Sequence, residues 1–225
     1  MENKLNEMQQ LRLLLIKESG FDVTKAKSVY DFVIGTDEFP SAKSSEFPDG
    51  IYFIKSENEA VHQSIATPED KSKTIAVGYK LGNKFANVVL KDAAGGEEIA
   101  LCTESCGSNQ FFKNTFAQAI TDWNGIGNTN DMRSKLNPEI GLKNNEYIPS
   151  VAQLHLLMSN IVEVNKALEE VGGDPIKEGW YWSSTETSSG NAWSVNFSSG
   201  NTYNYYYFKN FNGVVRPAVA FEFIL

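Results

Sequence analysis

Long hydrophobic runs are missing from the start of this chain of 225 residues. The longest one there, "LRLLLI" at residues 11 to 16, is far shorter than the roughly 20 residues that a membrane-spanning helix needs. We therefore expect no membrane insertion. No small-residue cleavage site follows the run, so no signal peptide is visible. This leaves open a protein that acts without classical secretion and one from which a leader was removed.

Positive charge is also scarce. The chain has 20 Lys and Arg residues against 28 Asp and Glu residues, a formal net charge of -8 at pH 7 and a pI near 4.9. Nucleic-acid affinity depends largely on Lys and Arg side chains that neutralise phosphates. This composition excludes nucleic acid as the main ligand.

Motifs of the common enzyme classes are absent from the sequence. We find no glycine-rich phosphate loop, no nucleophile elbow, no His-Glu zinc motif and no acidic calcium loop. His62 and His155 are the two histidines of the chain, and His155 lies beside an apolar helical stripe, where a structural role is favoured over a catalytic one. We predict a non-enzymatic protein that uses no cofactor and no metal.

Cysteine is limited to Cys102 and Cys106, in "CTESC". Their spacing permits a local disulfide without demanding one, and no histidine lies close enough in sequence to complete a metal-site pattern. Ordinary thiols or a local bridge are favoured over a ligand or redox role.

The first part of the chain has a helical pattern. Leu5, Met8, Leu11 and Leu15 recur at helical spacing, and residues 1 to 34 predict two helices. Residues 36 to 49 contain two prolines and many small polar residues, which are typical of a linker. We therefore predict a helical N-terminal segment with its linker over 1–49 and a separate domain over 50–225. The helices could form a homo-oligomer, anchor the domain to a virion or pack on the domain.

Beyond Gly50, short apolar runs that begin at residues 51, 74, 85 and 98 predict strands. Two helices follow, each with a capping box at its start: Thr115 with Gln118, and Ser150 with Gln153. The second helix is predicted to continue to Gly172-Gly173 as one element.

Strands return after residue 179. The alternation in "AWSVNF", residues 192 to 197, predicts a half-buried strand, and "VVRPAVAFEFI" predicts a buried closing strand with Pro217 at an edge or bulge. An order of strands, helices and strands indicates an α+β fold and argues against a doubly wound parallel sheet.

Residues 180 to 213 have an unusual composition. They contain eleven aromatic residues and only two charges, Glu186 and Lys209, among Ser, Thr, Asn, Gly and Ala. Tyrosine combined with Ser, Gly and Asn is typical of antibody paratopes, where rigid rings supply contact area and small polar residues supply hydrogen bonds. A core position is favoured for Trp180, Trp182, Trp193 and Phe197. A core position fails for Tyr203 to Phe208, because four consecutive aromatic residues at 205–208 must point to both faces of a strand and one face is then left outside the core.

The segment "GWYWSSTETSSGNAWSVNFSSGNTYNYYYFKNFNGVVRPAVAF", preceded by "YIPSVAQL" and "VNKALEEVGG", resembles the variable proteins of diversity-generating retroelements from gut Bacteroides and their phages. The resemblance covers roughly residues 50 to 225 and implies a C-type lectin fold, with two helices packed on antiparallel sheets and a variable region at about 180–221. In that family, adenines of a template repeat are mutated during reverse transcription. Codons of the form AAY then scatter into a set that includes Asn, Tyr, Ser, Phe, Thr and Gly.

The resemblance implies a candidate face of variable, ligand-binding residues and a structural frame beneath it. The candidate face comprises Thr187, Ser189, Asn191, Ser194, Asn196, Ser198, Asn201, Tyr203, Tyr205, Tyr206, Tyr207, Phe208, Asn210, Phe211 and Asn212. The structural frame comprises Trp182, Ser183, Ser184, Glu186, Trp193, Phe197, Gly200 and Arg216. Within the frame we expect Glu186 and Arg216 to form a buried ion pair.

By this resemblance the protein displays a hypervariable surface that binds an unidentified protein or glycan on a cell surface, such as a host receptor if the gene is carried by a phage. Its location stays open between a phage virion and a cell surface. The first alternative is a fixed C-type-lectin-like adhesin or carbohydrate-binding module without diversification. The second is an oxidase or hydrolase on the same scaffold.

Two departures from related families narrow these expectations. The Glu-Pro-Asn and Trp-Asn-Asp motifs of calcium-dependent sugar-binding lectins are absent, so the resemblance implies neither calcium nor monosaccharide specificity. Formylglycine-generating enzymes use two cysteines late in the domain, and no cysteine follows Cys106. That absence argues against the enzyme alternative.

Overall fold

The structure is a computed structural model that describes residues 47–103, 112–203, 208–221 and 223. These residues belong to one compact unit, Phe47–Leu225. The two predicted helices of residues 1 to 34, Cys106 and the tyrosines 205 to 207 lie outside the described residues. The helical N-terminal segment therefore stays a prediction.

A four-stranded antiparallel sheet opens the domain. Its strands are β1 (Gly50–Ser56), β2 (Glu59–His62), β3 (Ala76–Leu81) and β4 (Lys84–Val89), in the order β2, β1, β3, β4. The short helix α1 (Pro68–Ser72) connects β2 to β3. The strands predicted from the apolar runs at 51, 74 and 85 are confirmed.

Two short helices follow β5 (Ile99–Ala100): α2 (Phe116–Ala119) and α3 (Gly125–Met132). At the start of α2, Thr115 Oγ1 accepts a hydrogen bond from the Gln118 N–H at 3.3 Å, and Gln118 Oε1 accepts one from the Thr115 N–H at 3.2 Å. The capping box predicted there is confirmed. Two 3-10 turns, Arg133–Lys135 and Pro138–Ile140, then lead to β6 (Glu146–Tyr147).

The helix predicted to run from Ser150 to Gly172 is two helices, α4 (Val151–Ser159) and α5 (Ile161–Glu170). The chain leaves helical geometry at Asn160, which has φ -124° and ψ 27°. The side-chain amide of Asn160 donates through Nδ2 to the Leu156 carbonyl at 2.8 Å. Asparagine competes in this way for helix carbonyls, so the prediction of one continuous helix is wrong. The predicted ends are confirmed: Gln153 accepts from the Ser150 N–H at 2.9 Å, and Gly172 has φ +76°.

The remaining strands are β7 (Trp180–Glu186), β8 (Ala192–Asn196), β9 (Thr202–Tyr203), β10 (Asn212–Gly213) and β11 (Ala218–Val219). β7, β8 and β9 form a three-stranded sheet, β10 pairs with β5, and β11 pairs with β6, all antiparallel. The protein is thus an α+β fold built on antiparallel sheets, as predicted. Within the described residues the closing strand is limited to β11, and Pro217, which has no N–H to donate, immediately precedes it.

Two apolar clusters form the centre of the domain. The larger one joins the first sheet to α4, α5 and β8, and includes Trp193 and Val195. The smaller one surrounds Trp182 and includes Ala192. β8 lies between them and is covered on both faces, so the prediction of a half-buried strand is wrong.

Among the described residues, no helix combines the length and the hydrophobicity that a bilayer crossing requires.

Candidate functional site

The polar side chains of β7 are hydrogen-bonded inside the protein. Ser183 Oγ donates to the Trp193 carbonyl at 2.8 Å, and Thr185 Oγ1 donates to Asp122 Oδ2 at 2.8 Å. The Thr185 hydroxyl also accepts from the Val151 N–H at 3.0 Å, which ties β7 to the start of α4. β7 is therefore a fixed support for the loops that follow it, and its hydroxyls are not available to a ligand.

Most of the described members of the candidate face are accessible. Tyr203 is 40% exposed, Phe208 51% and Phe211 47%. The rings of Phe208 and Phe211 meet edge to face, with their centroids 5.5 Å apart. An isolated antiparallel bridge joins Phe208 to Asn191. The other exposed members are Ser189, Ser198, Asn201, Asn210 and Asn212, and Thr187, Asn191 and Asn196 are half-buried.

Ser194 departs from its assignment to the candidate face. It is 1% exposed, and its hydroxyl donates to the Tyr203 carbonyl at 3.5 Å. Because β8 is the central strand of its sheet, Ser194 lies between β7 and β9 and cannot contact a partner in this arrangement.

Asn196 shapes the turn that presents Ser198. Its Oδ1 accepts hydrogen bonds from the Ser198 N–H at 2.9 Å and the Ser199 N–H at 3.0 Å. Gly200 closes the turn with φ +73°, a conformation that favours glycine, and donates to the Asn196 carbonyl at 2.9 Å. The Asn196 side chain therefore works within the turn.

The residues assigned to the structural frame are buried, apart from the half-buried Gly200. The expected ion pair between Glu186 and Arg216 is wrong. The Arg216 guanidinium pairs with Asp92, with Nη1 and Oδ1 3.0 Å apart, whereas the Glu186 carboxylate pairs with Lys209. The fold places each carboxylate against a different cation, and sequence distance carries no signal of that choice.

Arg216 ties the last part of the chain to the end of β4. Its Nε donates to the Val89 carbonyl at 2.9 Å, and its Nη2 donates to the carbonyls of Leu90 at 2.9 Å and Asp174 at 2.7 Å. Burial raises the pKa of Asp92, and the neighbouring Arg216 opposes that rise. This group is an internal anchor and does not form part of the accessible surface.

Sequence reasoning assigned no role to Lys209. It is 1% exposed, although its neighbours Phe208 and Asn210 are exposed. Its ammonium pairs with the Glu186 carboxylate and donates to the Ser189 carbonyl at 3.1 Å. Burial lowers the pKa of Lys209, and Glu186 opposes that change. The sequence shows Glu186 and Lys209 as the only two charges between residues 180 and 213, but it does not show which opposite charge each of them meets.

A cleft of about 440 Å³ lies beside β9, lined by Trp180, Asn201, Thr202 and Tyr203. Trp180 is half-buried, so the expectation of a core position does not hold for it. Its ring lies 6.3 Å from that of Tyr203, centroid to centroid, with the planes tilted by 60°. Among the described residues, the lining of the cleft holds two aromatic rings and an amide and no charged group, which suits an uncharged ligand.

His155 supports the cleft from α4. Its Nε2 lies 2.6 Å from Thr202 Oγ1, and its ring meets the exposed ring of Phe116 edge to face. Burial lowers the pKa of His155. These contacts are consistent with the structural role favoured by the sequence.

The His155 pKa predicts a pH-dependent stability. Since the folded protein holds a proton on His155 less readily than the unfolded chain, this contribution is complete above about pH 6.5 and is lost as the pH falls through the lower folded-state pKa. Between pH 7.5 and 5, the free energy of unfolding measured in urea should fall more for the wild type than for His155→Gln. The matched control is His62→Gln, which removes the other imidazole and leaves the contacts of His155 in place, so the pH dependence due to His155 should persist in it. Parallel curves for wild type and His155→Gln would contradict the prediction.

Within residues 47–103, 112–203 and 208–221, no group of three or more His, Cys, Asp and Glu side chains is placed to hold a metal ion. Cys102 is buried and disulfide-bonded, and Cys106 lies outside the described residues. No protein-family model matches the chain, and no curated protein matches it in sequence.

Proposed function

We propose that this protein is a non-enzymatic ligand-binding protein with a C-type-lectin-like fold. One observation carries the proposal: the exposed aromatic residues Phe208 and Phe211 flank a buried lysine and extend from a scaffold whose polar groups are hydrogen-bonded internally. Aromatic side chains bring a large contact area at a low entropic cost and are enriched at the centres of interfaces. Such a surface is suited to binding.

More specifically, the protein is the variable protein of a diversity-generating retroelement. Two observations support this step: the sequence resemblance of residues 179 to 221, and the burial of the frame residues beneath a mostly exposed candidate face. Its ligand is a protein or glycan on a cell surface. Diversification would change the exposed side chains while the buried ones keep the scaffold intact.

The genetic test is to sequence the DNA that flanks the gene. We expect a near-copy of the codons for residues 180 to 220, differing mainly at adenines and lying beside a reverse-transcriptase gene. The absence of such a repeat would overturn diversification and leave a fixed lectin-like module.

The protein test is binding of the fluorescently labelled full chain to a panel of gut Bacteroides cells. The double variant Phe208→Ala/Phe211→Ala should bind at least about tenfold more weakly, because central aromatic anchors dominate interface energies. Val162→Ala is the matched control, since Val162 is an exposed apolar residue of α5 outside the candidate face. Equal affinities for the double variant and the control would place the binding site elsewhere.

The Trp180–Tyr203 cleft favours a second candidate, a fixed carbohydrate-binding module. The described part of its lining consists of two rings, an amide and a hydroxyl, which suit a neutral sugar. In this case Trp180→Ala, and not the Phe208→Ala/Phe211→Ala change, would abolish cell binding, and no template repeat would be found.

A further inference from the structure

We infer that Lys209 is a positioning residue for the candidate face, holding the loop 187–191 and the segment 208–212 in a fixed relation through its buried pair with Glu186. The inference rests on the proposed function in that the two segments carry face residues. The geometry beneath them is independent of what the face binds.

Lys209 joins the two segments through both its side chain and its backbone. The Lys209 ammonium donates to the Ser189 carbonyl at 3.1 Å, and the Lys209 N–H donates to the Gly190 carbonyl at 2.9 Å. The second of these hydrogen bonds belongs to the antiparallel bridge between Asn191 and Phe208. One buried lysine therefore holds the backbone of the loop that connects β7 to β8.

The pair is also connected to the interior. The Lys209 carbonyl accepts a hydrogen bond from the Cys102 N–H at 3.0 Å, and the Glu186 carbonyl accepts one from the Lys113 N–H at 2.8 Å. The Trp193 indole donates to the Lys113 carbonyl at 2.8 Å. The lysine is thus held from below by segments distant in sequence, which makes it a fixed point for the surface above.

An inward side chain at 209 determines where its neighbours point. Phe208, Asn210, Phe211 and Asn212 are exposed on either side of it. If the lysine were replaced by a residue with no buried partner, the segment would keep its backbone hydrogen bonds to Gly190 and Cys102 but would lose the side-chain contacts to Glu186 and Ser189 that favour this orientation. The positions around 209 can vary in chemistry, whereas 209 has to supply the buried cation.

The experiment compares amide hydrogen exchange in the full-length wild type, Lys209→Met, Lys209→Arg and the double variant Glu186→Gln/Lys209→Met. Lys209→Met should speed exchange in 187–191 and 208–212 by at least about tenfold, without a matching increase in β1. Lys209→Arg keeps the cation and should largely restore protection.

The double variant separates positioning from stability. It removes both charges, so it should recover most of the thermal stability lost in Lys209→Met. Exchange in the two segments should nevertheless stay fast, because the contact to Ser189 is missing. This variant also keeps the inference testable if Lys209→Met alone fails to fold.

Wild-type protection of both segments in the double variant would overturn the inference. An exchange rate in Lys209→Met that rises equally in the two segments and in β1 would overturn it as well. Neither outcome depends on a ligand. A failure here is therefore distinguishable from a failure of the proposed binding function, which the cell-binding measurement tests separately.

Discussion

Replacing Arg216 with alanine should lower the free energy of unfolding by about 3–5 kcal/mol, the range expected when one partner of a buried ion pair is removed. Arg216 is 1% exposed and donates to three carbonyls as well as to Asp92. The variant loses all of these bonds and leaves the Asp92 carboxylate buried without its cation. Urea unfolding followed by tryptophan fluorescence measures the change.

The matched control is Lys73→Ala, which removes an exposed pair with Glu69 and should cost less than about 1 kcal/mol. A change of similar size in Arg216→Ala would show that the buried pair contributes little.

The destabilisation in Arg216→Ala should also shrink at acid pH. Burial raises the pKa of Asp92 above its usual 3.8, so the folded state binds this proton more readily than the unfolded chain, and the contribution of Asp92 to stability falls as the pH rises. Without Arg216 the charged form is disfavoured further. We expect a smaller difference from wild type at pH 4 than at pH 7, and an unchanged difference would contradict this electrostatic explanation.

Replacing Trp182 with alanine should cost about 3–5 kcal/mol, as for other buried tryptophans. Trp182 is a fully buried residue of the smaller cluster, and its indole donates to the Ile99 carbonyl at 3.1 Å. It also lies directly against β10, since a Cβ atom added at Gly213 would be 2.9 Å from the indole nitrogen. The variant therefore creates a cavity and loses the support of the strand that follows Phe211.

Trp180→Ala is the control, because the same residue type lies two positions earlier in β7 and is only half-buried. We expect a loss of about 1 kcal/mol or less for it. If the two variants unfolded at the same urea concentration, the difference in burial between Trp180 and Trp182 would not determine their contributions to stability.

Local sequence signals predicted the helix starts because a capping box needs only residues three apart. Thr115 with Gln118 and Ser150 with Gln153 are both observed. Asn160 interrupts the apolar stripe without breaking its period, so the division between α4 and α5 was missed. Its effect depends on a hydrogen bond to the Leu156 carbonyl.

Strand burial was harder to predict than strand existence. The alternation of β8 was visible, but Ala192 and Ser194 are as buried as Trp193 and Val195. A small residue on a strand can face either solvent or a closely packed neighbour. For Ala192 and Ser194 the smaller cluster and the strands on either side of β8 determine that both are buried. The assignment of Ser194 to the candidate face failed for this reason.

The sequence by itself determined the α+β class, two capped helix starts and a segment rich in aromatic residues and poor in charge. Only the tertiary structure decided that Lys209 pairs with Glu186 and that Arg216 pairs with Asp92, a residue 124 positions away. Periodicity and capping arise from contacts between residues a few positions apart. Ion-pair partners and burial depend on how distant elements pack, because a buried charge takes whichever opposite charge the packing brings within reach.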